Sequence, residues 1–166
     1  MATMAFVREN QGLALKTYHD VIHVRTQACL QFIDVTDPVG DIVRESGIRY
    51  GLVNIQTRHT TTAIVVNENE PLLLEDMKRV LEKLAPHDGG YQHDDFQIRT
   101  VNLLPGEDPN GHAHCKAMLL GTSETLNIVD GTIHLGRWQR IFLIELDRAK
   151  DRTVSVMVMG ESTTGW

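Results

Sequence analysis

The sequence predicts an α+β fold, a single domain on a mainly antiparallel β-sheet or sandwich with two principal helices. Three observations carry that reading. Runs rich in β-branched residues recur along the chain, only two segments space their apolar residues as helices do, and strands and helices do not alternate regularly. The chain has 166 residues, 42% hydrophobic and 23% charged, which suits one domain with a sizeable core.

Residues 1–14 read as a weakly ordered N-terminus. From Leu15 to Phe32 one or two strands are expected, with Val21, His23 and Arg25 alternating against Ile22, Val24 and Thr26. A helix follows, capped by Thr36 or Asp37. Pro38 sits in its first turn, Val39, Ile42 and Val43 share a face, and Gly47 ends it. Tyr50 to Val66 is β-rich, interrupted or crowned by the polar segment from Gln56 to Thr62. The second helix runs from about Pro71 to Leu84, with Leu73, Met77, Val80, Leu81 and Leu84 at helical spacing and Pro86 preventing continuation. Glu70 suits the cap of this helix, while Glu68 fits either the cap or a site. His87 to Asn110 holds Gly89-Gly90, Pro105-Gly106 and Pro109 and reads as a long functional loop. Strands are then expected at about Ala113 to Leu120, Thr125 to Val129, Trp138 to Leu146 and Thr153 to Met159, with a hairpin turn between the last two.

The bulk numbers exclude several classes. A formal charge of -6 argues against general binding to nucleic acid or anionic membrane, and 5% aromatic residues give no stacking ladder for single strands. No apolar run reaches the roughly 20 residues that span a bilayer. Met1 to Gln11 lacks the apolar core of a signal peptide, so a cytoplasmic protein is expected. Cys29 and Cys115 form no spacing motif and read as reduced, inert thiols.

Three histidines in polar frameworks are the site candidates: His59 before Thr60-Thr61-Thr62, His93 before Asp94, and His114 two residues after His112. Imidazole is both the commonest metal ligand and a proton carrier near neutral pH. Three imidazoles from separate segments would make the open site of a catalytic zinc. On a strand, His112 and His114 would share a face, and Asp94 would fix the ring of His93. The threonines offer hydroxyls to phosphate oxygens or simply line a strand. Gly131 to Arg137 fails as a phosphate-binding P-loop, because Arg137-Trp138 replaces Lys-Ser/Thr, and reads as a strand-to-strand turn. Trp138 is either core or a pocket wall, and Gln139 offers an amide. His19, His23, His87 and His134 receive no role, and clustered cations look few.

Together these segments resemble the YjbQ-like family, also called the secondary thiamine-phosphate synthase family, of small bacterial and archaeal proteins. The resemblance runs from about Tyr18 to Gly160. It rests on His59-Thr60-Thr61-Thr62-Ala63, Asn67-Glu68, Asp76, Tyr91-x-His93-Asp94, Asn110 with Ala113-His114, Leu119-Leu120-Gly121, and Gly131-x-x-x-Leu135-Gly136-x-Trp138-Gln139. It implies one α+β domain, assembly as a homotrimer, and a transferase that joins a pyrimidine diphosphate to a thiazole phosphate. The family's histidines fall on His59, His93 and His114, His112 being an addition. Arg137 stands where the family has a small threonine, and Arg148-Ala149 replaces its Gly-Pro.

The expected function is therefore a thiamine-phosphate synthase-like enzyme acting on a phosphorylated small metabolite at a histidine-rich, metal-binding site. His93 and His114 are the expected ligands of zinc or another transition metal, with His59 as third ligand or acid–base group. Thr61, Asn110, Arg137 and Gln139 would bind substrate. The alternative is a non-catalytic metabolite-binding or sensing trimer, which turnover would distinguish.

Overall fold

The computed structural model describes residues 15–162, so the reading of residues 1–14 as a weakly ordered end lies outside the described residues. In chain order the elements are β1 (Leu15–Arg25), β2 (Gln31–Asp34), α1 (Thr36–Ser46), β3 (Ile48–Thr57), β4 (Thr62–Glu68), α2 (Pro71–Leu84), a 3-10 turn (Gln92–Asp94), α3 (Gly111–Leu120), β5 (Ser123–Val129), β6 (Thr132–Ile133), β7 (Gln139–Glu145) and β8 (Asp151–Ser162). The strands form two antiparallel sheets, β1-β8-β3-β5-β6 and β2-β7-β4. The single α+β domain on antiparallel sheet is thus present, with three α-helices among the described residues. Among the described residues no helix is long and apolar enough to cross a membrane.

Period-two patterning explains the layering. Along β8, Val154, Val156 and Val158 are buried while Met157 and Met159 are exposed, so one face of the larger sheet is core and the other is open. That inner face meets Ile64, Ile141 and Leu143 of the smaller sheet, together with Val39 and Val43 of α1. β7 is buried on both faces. Its alternate residues Phe142 and Ile144 pack against Ala113 and Ala117 of α3, which explains why Ile141 to Ile144 reads as an unbroken apolar run.

Several expectations require correction. The span from Tyr50 to Val66 is two strands in different sheets, β3 and β4, separated by the polar segment 58–61. The residues from Asp147 to Thr153 are no hairpin, because β7 and β8 lie in different sheets and the chain crosses between them there. The N-cap of α1 is Val35, and Asp34 Oδ1 accepts from Thr36 N–H at 3.0 Å in place of a cap by Thr36 or Asp37. Gly47, at φ 67°, ends α1 in the left-handed conformation that glycine tolerates. Glu70 does cap α2, accepting from Leu72 and Leu73 N–H at 2.9 and 2.7 Å.

The largest correction is α3, expected as a strand. Gly111 to Leu120 contains no β-branched residue and is rich in Ala, Leu, Met and Lys, all good helix formers. Ala113 and Ala117, one helical turn apart, form the buried stripe against the smaller sheet. The pairing of His112 and His114 on one face fails with the strand. Residues two positions apart on a helix lie roughly 200° from each other around its axis, so these imidazoles serve opposite sides.

Candidate functional site

The segment between β3 and β4 is closed by its own hydroxyls. Thr57 and Thr62 Oγ1 lie 2.5 Å apart, and Thr57 Oγ1 also accepts from His59 N–H at 3.3 Å. His59 Nε2 accepts from Thr153 N–H at 3.0 Å, so the proton of the neutral ring belongs to Nδ1 and that nitrogen is a donor. Burial, then the Arg152 guanidinium, push the His59 imidazole below its ordinary value. Thr61 is buried, and its hydroxyl accepts from Arg152 Nη2 at 3.0 Å.

On the opposite side, Asp94 ties the 3-10 turn to α3. Its Oδ1 accepts from Asn110 and Gly111 N–H at 2.9 and 2.8 Å, favourable because a helix N-terminus carries unpaired donors and partial positive charge. The carboxylate thus fixes backbone, where it was expected to orient the His93 ring. A Cβ on Gly111 would meet Tyr91 Cβ at 2.5 Å, so this close approach requires glycine. The result sets the His93 and His114 rings edge to face, with centroids 4.7 Å apart. Burial, then His93, lower the pKa of His114. His112 turns to the other side of the helix, where its ring packs against His87 with centroids 4.3 Å apart and planes tilted by 41°.

The crossover from β7 to β8 supplies the back wall. Glu145, fully buried, receives Arg152 Nε and Nη2 on its two oxygens at 2.6 Å each. Buried Thr26 donates to Glu145 at 3.0 Å and accepts from Lys150 N–H at 2.8 Å, which pins the crossover to the end of β1.

These three regions enclose an open cavity of about 680 Å³ lined by the three histidines, Thr61 and Asn110. Its wall also carries five cationic residues, Arg58, Arg99, Arg148, Lys150 and Arg152, against one carboxylate, Glu107. The expectation of few clustered cations is therefore overturned. Four of the five are backed by carboxylates: Arg99 by Glu107, Arg148 by Asp108, Lys150 by Asp147 and Arg152 by Glu145. Arg58 has no ion-pair partner among the described residues. Arg99 also donates to the carbonyls of His93, Val101 and Asn102, so it staples the loop it sits in.

The fit to a metal is poor. Among the described residues no group of three or more His, Cys, Asp or Glu comes together to hold an ion. His59 has already committed Nε2 to a backbone N–H. The three imidazoles share a cavity without forming a ligand set.

Arg137 and Gln139 lie elsewhere. Gln139 pairs with Glu68 at the far end of β7, while Glu145 pairs with Thr62 at the cavity end, six residues or roughly 20 Å away. Neither Arg137, Gln139 nor Glu68 lines the cavity. Gln139 Oε1 accepts from Gly136 N–H at 2.7 Å, and Arg137 stacks on Trp138, whose 60% exposure rules out the core reading.

Fold and site together define a small single-domain α+β protein with an open cleft of histidine and arginine between two sheets and a short helix. The chain belongs to the UPF0047 protein YjbQ-like family, whose pattern matches residues 20–161. It is 37% identical over 150 residues to a UPF0047 protein of Methanothermobacter thermautotrophicus, covering 90% of this chain and 97% of that one. A UPF0047 protein of Archaeoglobus fulgidus is 40% identical over 136 residues, 82% and 97% of the two chains. Among solved structures, a YbjQ-like protein of unknown function from Sulfolobus solfataricus matches with a TM-score of 0.80 at 35% identity, covering 89% of this chain and all of that one.

Proposed function

We propose that the cavity binds a phosphorylated small metabolite and that the chain acts on it as an enzyme. One observation carries this reading: five cationic side chains and three histidines converge on a single cavity in a chain whose formal charge is -6. Preorganised guanidinium and N–H donors stabilise charge that develops on phosphate oxygens. The cationic wall holds the phosphoryl group, His59 adds a donor, and the His93–His114 pair handles a proton. Joining a pyrimidine diphosphate to a thiazole phosphate, with release of pyrophosphate, is one reaction of this class. The departing pyrophosphate is the charge the cationic wall would stabilise.

Calorimetric titration with inorganic pyrophosphate tests the binding. Arg58→Gln is the sharpest variant, because it orphans no carboxylate among the described residues. It is expected to weaken binding about 10-fold, in keeping with the loss of one charge-assisted hydrogen bond, and to leave thermal stability unchanged. A protein that binds neither phosphate nor pyrophosphate at millimolar concentration would refute the reading. Pyrophosphate release from the two thiamine precursors tests the enzyme. Turnover that collapses in His114→Ala, with pyrophosphate affinity held, marks a catalyst, whereas affinity without turnover leaves a binding module.

The homotrimer implied by the family resemblance belongs to the same proposal. On α2, Leu72, Val80 and Leu84 are exposed at 75%, 53% and 63%, apolar surface that self-association would cover. Light scattering is expected to give about three times the chain mass of 18.7 kDa. A monomer at micromolar concentration would end that part.

A further inference from the structure

Asn110 occupies the N-cap of α3 but forms no capping hydrogen bond. Asparagine is among the best capping residues, so an idle one needs a reason. Asp94 takes the N–H groups of Asn110 and Gly111, and the Ala113 N–H that a cap would bind goes to the Asn110 backbone carbonyl at 2.9 Å. The Asn110 side chain is thus free of the helix end, and the residue lines the cavity. It is 7% exposed, and its Oδ1 is buried without a partner among the described residues. His93 Nε2, on the facing segment of the same cavity, is likewise buried and unpartnered. The third such atom, Lys116 Nζ, lies on buried Lys116, 3.1 Å from Glu82 Oε2, and does not line this cavity.

We infer that the metabolite carries a hydrogen-bond donor, a hydroxyl or amine, that seats on Asn110 Oδ1 and beside His93, apart from its phosphate. This rests on the phosphate reading above and narrows it. A carboxamide oxygen accepts only, so a phosphate oxygen cannot satisfy it and the remainder of the ligand must. An imidazole nitrogen donates or accepts according to tautomer, so His93 matches the same kind of group. A buried acceptor left unpaired is costly, and sites built around a substrate hydroxyl reject analogues that lack it far more strongly than apolar pockets reject an extra group. The substrate class is therefore a phosphorylated alcohol or amine, and simple alkyl phosphates are discriminated against.

Two matched pairs of probes test this on the wild-type protein by calorimetry: 2-hydroxyethyl phosphate against ethyl phosphate, and glycerol 3-phosphate against propyl phosphate. The hydroxylated member of at least one pair is expected to bind about 10-fold more tightly or better. Asn110→Leu should bring that pair within about threefold while leaving inorganic phosphate affinity unchanged. Equal affinity within both pairs, with phosphate still bound, overturns the inference alone. Discrimination that survives in Asn110→Leu overturns the assignment to Asn110. Failure of every phosphate compound to bind overturns the phosphate reading and this inference with it.

Discussion

Replacing Glu145 with alanine is expected to cost about 3–5 kcal/mol of folding stability, the cost of leaving one partner of a buried ion pair behind. Glu145 is fully buried and Arg152 is 6% exposed, so bulk water compensates neither. Arg152 would keep only the Thr61 hydroxyl at 3.0 Å from its network. Thr26 would lose the carboxylate it donates to, and Asp147 N–H the oxygen it reaches at 3.0 Å. The pair continues the interior face of both sheets. Arg152 follows the parity of Val154, Val156 and Val158 on β8, and Glu145 that of Ile141 and Leu143 on β7.

This geometry separates stability from function. A double change, Glu145→Leu with Arg152→Met, removes both charges and keeps the volume apolar, so it should recover most of the lost stability. Its pyrophosphate affinity should fall below that of the wild type, since the Arg152 cation of the cavity wall has gone. Urea denaturation and calorimetry on the wild type, the single variant and the double variant check both halves. A double variant as unstable as Glu145→Ala would show that the ion pair is not the source of the loss.

The same pair shows what was legible in the sequence. The apolar runs and their boundaries gave the helices at 36–46 and 71–84 and the positions of most strands, because local spacing and turn chemistry decide those. Glu145 within Ile-Glu-Leu and Arg152 before Thr-Val-Ser-Val were equally visible, and a charge inside a buried apolar run requires a partner. Beginning the last strand at Thr153 left Arg152 in a supposed hairpin and concealed the pairing. Sheet membership was the missing information: nothing local states that β7 and β8 part into different sheets. The convergence of Arg58, Arg99, Arg148 and Lys150 was illegible for that reason, since they come from three segments that only the crossover unites. His59, His93 and His114 were recognisable from their polar settings and do reach one cavity. The error at α3 was local, because His-x-His outweighed a segment free of β-branched residues.

Acidification from pH 7.5 to 5 is expected to destabilise the ligand-free protein while strengthening sulfate binding. His59, His112 and His114 all have pKa values pushed below the ordinary imidazole value, with burial the leading cause for each. A depressed imidazole binds fewer protons in the folded state than in the unfolded one. Its contribution is intact above the unfolded value of about 6.5 and is lost as pH falls below that value toward the folded one. The limiting slope is about 1.4 kcal/mol per pH unit for each such group. Asp34, Glu82 and Glu107 are shifted down as well, but they lose stability only below the ordinary carboxylate range, outside this window. His112, 2% exposed, should contribute most, facing Lys116 on its own helix, His87 after α2 and Cys29 Sγ at 4.0 Å, with Asp147 and Asp94 opposing. His112→Phe should therefore flatten the fall in urea midpoint between pH 7 and 5. Sulfate keeps its charge across this range, so a gain in its affinity reports added positive charge on the histidines that line the cavity. Stability and sulfate affinity that move in the same direction with pH would contradict the placement of these imidazoles.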